Sequence, residues 1–218
     1  MHPHVILMDI EAQRDFFQPG GALYTRAANT AAGNIYRLFD WAKSTGTSVI
    51  STVLLVRPGQ HGPLHPIPHC VEGTGGEKKL ARTLLAHRVN LGLGHNTDLP
   101  CDVLDQQQQV IFEKRDTDIF HHARAERLIS DMPRDKTFIL CGAGIAWGIK
   151  QAAIGLRTRG FTVIVAEDAV LDLQDPLSEM AWLQMVAKST RPLPTAQILR
   201  ELAPPRRVRQ RESRAVRS

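Results

Sequence analysis

The sequence predicts an α/β fold, a three-layer α/β/α sandwich in which helices cover both faces of a central parallel β-sheet. Short β-branched runs without polar alternation, such as TFILC from Thr137 and FTVIVA from Phe161, are typical of strands buried on both faces. The segment between these runs has apolar residues at helical spacing and stops at Gly160, which makes a strand–helix–strand unit. Further strands and helices alternate along the chain, as a parallel sheet requires.

The individual elements follow from the same periodicities. Strands are predicted at residues 5–10, 48–55, 109–114, 137–142 and 162–167. A long amphipathic helix is predicted over 22–44, with Gly46 as its stop, and further helices over 77–85, 121–130, 178–187 and 195–202. The loop over 57–74 is long and rich in Pro, His and Gly, and loops of this length are often binding segments.

Composition limits the classes of protein to consider. The 218 residues are 43% hydrophobic and contain no apolar run long enough to span a bilayer, so we expect a soluble protein without a membrane partner. The N-terminus lacks the features of a signal peptide, and three scattered cysteines favour a reducing, cytoplasmic location.

The net charge of +5 is concentrated in the C-terminal segment, where residues 204–218 hold six arginines and one glutamate. We therefore predict one domain over 1–203 followed by a basic tail over 204–218. A tail of this kind could contact RNA, an acidic partner or a neighbouring subunit, but we favour a solvated extension and expect no nucleic-acid partner.

Four blocks of sequence, in order, resemble the isochorismatase-like hydrolases, the superfamily of nicotinamidases, related amidases and isochorismatases. They are VILMDIEAQRDFF, HCVEGTGGE, VIFEKRDTDIF and the segment from Thr137 to Asp168, and the resemblance extends over roughly residues 4–203. It implies the three-layer fold, a small-molecule substrate and a homo-oligomer, and we expect no cofactor. It also implies that Phe16, Phe120, Trp147 and Cys70 line the pocket.

By this resemblance Asp9 is the catalytic carboxylate and Lys114 the catalytic lysine. Both residues end hydrophobic strands, where ligands bind in parallel sheets. Lys114 could hold Asp9 ionised or stabilise an oxyanion; the alternatives are a loop-capping carboxylate and a surface lysine paired with a nearby acid. The spacing from Asp9 to the Asp15–Phe16 pair is longer than is usual in the family, which indicates a two-residue insertion.

Gly148 occupies the position at which the cysteine amidases of the family carry their nucleophile. Isochorismatases resemble this pattern with glycine at the same place, and they hydrolyse a vinyl ether by protonation and addition of water. The resemblance further implies a cis peptide between Ala143 and Gly144, and oxyanion donors at the N–H groups of Gly144 and Gly148. Trp147 could cap the cavity beside Gly148 or simply fill the core.

Nicotinamidases bind a divalent metal through one Asp and three His, but the first two of these positions fall on Leu54 and Val56. His61, His65 and His69 remain as candidate zinc ligands in a Pro-rich loop. A pocket-lining or solvated loop is the prediction we prefer, so no metal is expected.

The sequence therefore predicts a hydrolase of a small molecule that works without cysteine, through Asp9 and Lys114. Hydrolysis of an isochorismate-type vinyl ether is the specific hypothesis. The alternatives are an inactive family member that binds or scaffolds, and an amidase that uses Cys70 as a relocated nucleophile.

Overall fold

A computed structural model describes residues 4–94, 96–100 and 102–203 of the chain. Its centre is a seven-stranded sheet in the order β3-β4-β2-β1-β5-β6-β7, and every neighbouring pair of strands is parallel. The strands are β1 (Val5–Ile10), β2 (Ser48–Leu54), β3 (Arg88–Asn90), β4 (Gln109–Lys114), β5 (Thr137–Ala143), β6 (Thr162–Leu171) and β7 (Arg191–Leu193). The helices are α1 (Arg14–Phe17), α2 (Ala27–Thr45), α3 (Val103–Gln106), α4 (Ala123–Ser130), α5 (Lys150–Thr158), α6 (Ser178–Ala187) and α7 (Thr195–Glu201).

The sheet separates two hydrophobic cores, which confirms the predicted three-layer arrangement. Alternate residues of β1 point to opposite faces, so Val5 and Leu7 pack with α2 and α7 while Ile6 and Met8 pack with α4, α5 and α6. Burial of β1 on both faces explains why its sequence shows no polar alternation.

All five predicted strands form, and the elements missed from the sequence are the two edge strands, β3 and β7, and the four-residue helices α1 and α3. Each edge strand has only three residues and is partly exposed, so neither produces a hydrophobic run that sequence could reveal. Helix α2 begins five residues later than predicted and stops at Gly46, whose φ of 67° is the left-handed conformation that favours glycine.

The helix predicted over 77–85 is wrong. Residues in this segment extend alongside the segment that follows β1: Arg14 N donates to Lys78 O at 2.9 Å, and Leu80 N donates to Ala12 O at 2.9 Å. Only Ala81–Thr83 forms a single 3₁₀ turn. These backbone bonds to a distant segment replace the local bonds of a helix, which the helical spacing of the apolar residues could not indicate.

Among the described residues, none of the helices has both the length and the hydropathy needed to cross a bilayer. The predicted basic tail over 204–218 lies outside the described residues.

Candidate active site

Asp9 and Glu11 lie at the carboxyl end of β1, and their side chains point to opposite faces of the sheet. Asp9 continues the alternation of β1 and faces the α2 side, where Ser51 Oγ donates to its Oδ2 at 3.0 Å. Glu11 comes just after the strand and has a φ of 57°, which is uncommon for a residue with a side chain. This left-handed turn breaks the alternation and directs the Glu11 side chain toward β4 and the α5 side.

Glu11 forms a buried ion pair with Lys114 at the end of β4. Lys114 Nζ donates to Glu11 Oε1, to Asp116 O at 2.7 Å and to Thr117 O at 3.0 Å, so its three N–H bonds are all used. Glu11 is 0% exposed, and its Oε2 has no hydrogen-bond partner among the described residues. Burial raises the pKa of Glu11 above the ordinary value, while the Lys114 charge opposes that rise.

The expected pairing of Asp9 with Lys114 is wrong. Asp9 lies opposite Ser51, and Ser51 lies opposite Ile111, so Lys114 is three residues, or about 10 Å, further along β4. Lys114 also points to the other face of the sheet. Asp9 instead pairs with Lys79 in a second buried ion pair.

The Asp9–Lys79 pair belongs to a hydrogen-bond network that joins four segments of the chain. Ser51 Oγ accepts a bond from Gln109 Nε2 at 2.8 Å, and Gln109 in turn bonds Thr83 O and Leu85 N. All of these polar side chains are buried, and their partners are protein groups. We therefore interpret the network as structural, since it holds β1, β2, β4 and the segment around Lys79 together.

Gly148 lies next to the Glu11–Lys114 pair, in a π-helical turn (Ile145–Ile149) that leads into α5. A Cβ atom added to Gly148 would lie 2.8 Å from Ile10 Cγ2, 3.3 Å from Glu11 Oε1 and 3.4 Å from Thr117 O. Any side chain at this position would consequently point at the Glu11 carboxyl group and press on Ile10.

The geometry contradicts one of the two predicted backbone donors. Gly144 N donates to Leu171 O at 3.1 Å, so it is not free to bind an oxyanion and that prediction is wrong. The described residues include no cis peptide, so the bond between Ala143 and Gly144 is trans. Gly144 nevertheless has a φ of 80° and starts the turn that places Gly148 beside Glu11.

Cys70 is fully buried and close to the acidic groups of the site. Its N–H donates to Asp15 Oδ2 at 2.6 Å, and its φ of 52° is left-handed. Burial, followed by the negative charges of Glu11 and Asp15, raises the pKa of the Cys70 thiol far above its usual range. The pKa of Cys141 is also raised by burial. Neither thiol has the environment of an activated nucleophile.

The three candidate zinc ligands do not converge. His61 is exposed, His65 accepts a bond from Ile67 N at 3.1 Å, and the buried ring of His69 donates to Ile67 O at 2.8 Å. Within 4–94, 96–100 and 102–203, no group of three His, Cys, Asp or Glu side chains is arranged to hold a metal. Burial lowers the pKa of His69, whose ring packs near Phe16 at 5.8 Å between centroids.

The four predicted pocket residues separate in the structure. Phe16 and Cys70 are core residues on the α2 side. The Phe120 ring packs against Gly155 of α5, with the Arg159 guanidinium 3.7 Å above the ring centroid. Trp147 is half-buried beside Gly148 and donates from Nε1 to Asp175 Oδ2 at 2.7 Å, which satisfies the indole.

The two residues missed from the sequence are Glu11 and Lys79. A signal for Glu11 was present, because Glu11 is two residues closer than Asp9 to the Asp15–Phe16 pair. Taking Glu11 as the family carboxylate removes the two-residue insertion that Asp9 requires. Nothing in the sequence indicated that Lys79 pairs with Asp9, because the segment 77–85 was predicted to be a helix.

The sequence from residue 5 to residue 197 matches the model of the isochorismatase domain. The chain belongs to the isochorismatase family. No curated protein shows significant sequence similarity to it. Solved structures share its fold at low sequence identity.

The nicotinamidase PncA from Bacillus subtilis superimposes with a TM-score of 0.66 at 17% identity, covering 87% of this chain and 98% of that one. An isochorismatase family protein from Desulfovibrio vulgaris gives 0.66 at 20% identity, with coverages of 93% and 100%. N-carbamoylsarcosine amidase from Thermoplasma acidophilum gives 0.61 at 15% identity, with coverages of 88% and 96%. At these identities the structures establish the common fold of the isochorismatase family.

Proposed function

We propose that this isochorismatase-family protein hydrolyses a small molecule without a cysteine nucleophile, with Glu11 as the proton donor and Lys114 as its electrostatic partner. The observation that carries the proposal is the buried Glu11–Lys114 pair beside Gly148, in which one carboxyl oxygen of Glu11 has no protein partner. A pair at the carboxyl ends of parallel strands occupies the usual ligand position of such sheets.

The raised pKa of Glu11 suits an acid rather than a base, because a protonated carboxyl group can transfer its proton to the substrate. In a vinyl ether the proton adds to the terminal carbon and leaves an oxocarbenium ion. Water then adds to that ion, and the resulting hemiketal collapses to a carbonyl compound and an alcohol. Lys114 stabilises the carboxylate that Glu11 becomes, and a proton released by the added water restores the acid.

Gly148 supports this chemistry because it replaces, in our proposal, the nucleophile that the cysteine amidases of the family carry. The remaining described thiols, Cys70 and Cys141, are buried with raised pKa values. Vinyl-ether hydrolysis needs an acid and a positioned water, but no covalent intermediate. An isochorismate-type compound is therefore the first substrate to test, although two of the similar structures are of amidases.

A second candidate function is binding without turnover. The complete burial of Glu11 and the position of Ile10 against Gly148 favour it, since a reacting substrate must reach both residues. Leu64 from the long loop also lies over Gly144, with its Cδ2 3.6 Å from the place of an added Cβ atom. Catalysis therefore requires this loop to move, whereas a scaffolding role does not.

The deciding experiment is product detection by mass spectrometry with isochorismate and nicotinamide offered separately to the wild type, Glu11→Gln and Asp9→Asn. Rates are normalised to the folded fraction of each protein. We expect isochorismate turnover that falls by at least about a hundredfold in Glu11→Gln. Glu72→Gln, which alters a carboxylate paired at the surface with Arg115, is the matched control and should leave the rate unchanged.

Three other outcomes have distinct meanings. Loss of turnover only in Asp9→Asn would return the catalytic role to Asp9. Nicotinamide hydrolysis would contradict the cysteine-independent mechanism if Cys70→Ala abolished it. Tight binding of isochorismate by the folded wild type without product would establish the binding function instead.

A further inference from the structure

A cleft lies on the α2 side of the sheet, where Arg14 and the segment 77–84 meet residues of β2, β3 and β4. Its volume is about 510 Å³, which is within the range of small-molecule sites. Val53, Leu55 and Ile111 form its floor, and they make up an apolar cluster separate from the two main cores. The cleft is distinct from the proposed active site, because Lys114 points to the opposite face of the sheet.

The rim of this cleft is mainly basic. Arg14, Lys78 and Arg88 line it, together with the acids Glu77 and Glu113. The second lysine of the lining, Lys79, is neutralised by Asp9, and Glu113 Oε1 already accepts a bond from Asn90 Nδ2 at 2.6 Å. The balance of formal charge at the rim is therefore positive.

Arg14 provides the specific indication of a ligand. Its Nε is buried and makes no hydrogen bond with any of the described residues. An unsatisfied buried donor is costly, and a guanidinium donor fits a carboxylate or sulfonate oxygen especially well. The neighbouring floor is apolar, so an anion with an apolar body would satisfy both parts of the cleft.

From this geometry we infer that the cleft binds a small amphipathic anion, such as an aryl carboxylate, with its charged group at Arg14 and its apolar body on Val53, Leu55 and Ile111. This site goes beyond the proposed hydrolytic function and does not depend on it. Glu11 and Lys114 take no part in it.

The experiment is a fluorescence titration of the full chain with anilinonaphthalene sulfonate, an apolar probe that carries one anionic group. The neutral N-phenylnaphthylamine is the matched probe without that group. We expect Arg14→Met to weaken binding of the sulfonate by about tenfold while changing binding of the neutral probe little. Arg88→Met removes another positive charge from the rim and leaves α1 unchanged.

Two control variants locate the probe. Arg37→Met removes an exposed arginine of α2, and Leu183→Gln alters the most exposed apolar side chain of α6, another surface to which the probe could bind. Both should bind the sulfonate like the wild type. Unchanged sulfonate affinity in Arg14→Met would overturn the inference, as would loss of binding in Leu183→Gln. Circular dichroism of each variant confirms that the comparison is between folded proteins.

Discussion

Lys114 donates a hydrogen bond to Glu11 rather than to Asp9, the carboxylate that ends β1. The left-handed conformation of Glu11 makes this bond possible, because it turns the side chain from the α2 face to the face on which Lys114 lies. Asp9 keeps its place on the α2 face and pairs with Lys79. The two buried ion pairs thus lie on opposite sides of one sheet, and we assign them different roles.

The raised pKa of Glu11 predicts a specific pH dependence of stability. A carboxyl group whose pKa is higher in the folded than in the unfolded state contributes stability below its unfolded pKa. That contribution is lost as the pH rises from about 4.5, the ordinary value, through the raised pKa. Glu11→Gln cannot ionise and should lack this loss.

Urea denaturation of the wild type and Glu11→Gln across this pH range measures the effect. The free energy of unfolding of the wild type should fall relative to that of Glu11→Gln as the pH rises. A difference that stays constant, or that grows in favour of the wild type, would show that the Glu11 pKa is not raised.

Asp9→Asn should destabilise the fold strongly, because it leaves Lys79 as an uncompensated buried charge. Breaking one partner of a buried pair costs about 3–5 kcal/mol. Asp40→Asn removes one partner of the exposed pair with Arg82 and should cost less than about 1 kcal/mol. Equal losses in the two variants, measured by urea denaturation, would refute the structural role of the Asp9–Lys79 pair.

Gly148→Ala should lower stability by about 1–3 kcal/mol, since its new methyl group would lie 2.8 Å from Ile10 Cγ2 and 3.3 Å from Glu11 Oε1. The matched control is Gly33→Ala on α2, where an added Cβ meets nothing within 4 Å. That change should stabilise the protein by up to about 1 kcal/mol, because alanine is the better helix former.

Shortening Glu11 to aspartate should relieve part of the strain in Gly148→Ala. Thermal or urea unfolding of the two single variants and the double variant forms a mutant cycle, with an expected coupling of about 0.5–3 kcal/mol. Strictly additive effects would mean that the Glu11 carboxyl group and residue 148 do not compete for space.

The thiol of Cys70 should resist chemical labelling in the folded protein, because it is buried and its pKa is raised. The test uses a Cys101→Ser background, since Cys101 lies outside the described residues. A disulfide reagent should react with urea-unfolded protein at least about a hundredfold faster than with native protein. Rapid labelling of the native protein, with loss of activity, would instead support Cys70 as a nucleophile if Cys70→Ala abolished the labelling and Cys141→Ala did not.

The periodicity of the sequence was sufficient to predict the central strands and most of the helices. Strands such as 137–143 carry continuous apolar runs because both faces of the sheet are covered, and this burial is directly visible in the residues. The edge strands and the segment 77–85 show no such pattern, since they are held by backbone bonds to distant parts of the chain.

The sequence by itself determined the fold class, the family blocks and the region of the site, because buried periodic residues and strand ends are local features. Only the tertiary structure decided which carboxylate meets Lys114. That choice depends on strand register, which sets how far along the sheet each side chain lies. It also depends on the left-handed conformation of Glu11, which sets the face of the sheet to which its side chain points. Neither the strand register nor the direction of the Glu11 side chain is set by neighbouring residues alone, since both arise when β1, β2 and β4 pair in the sheet.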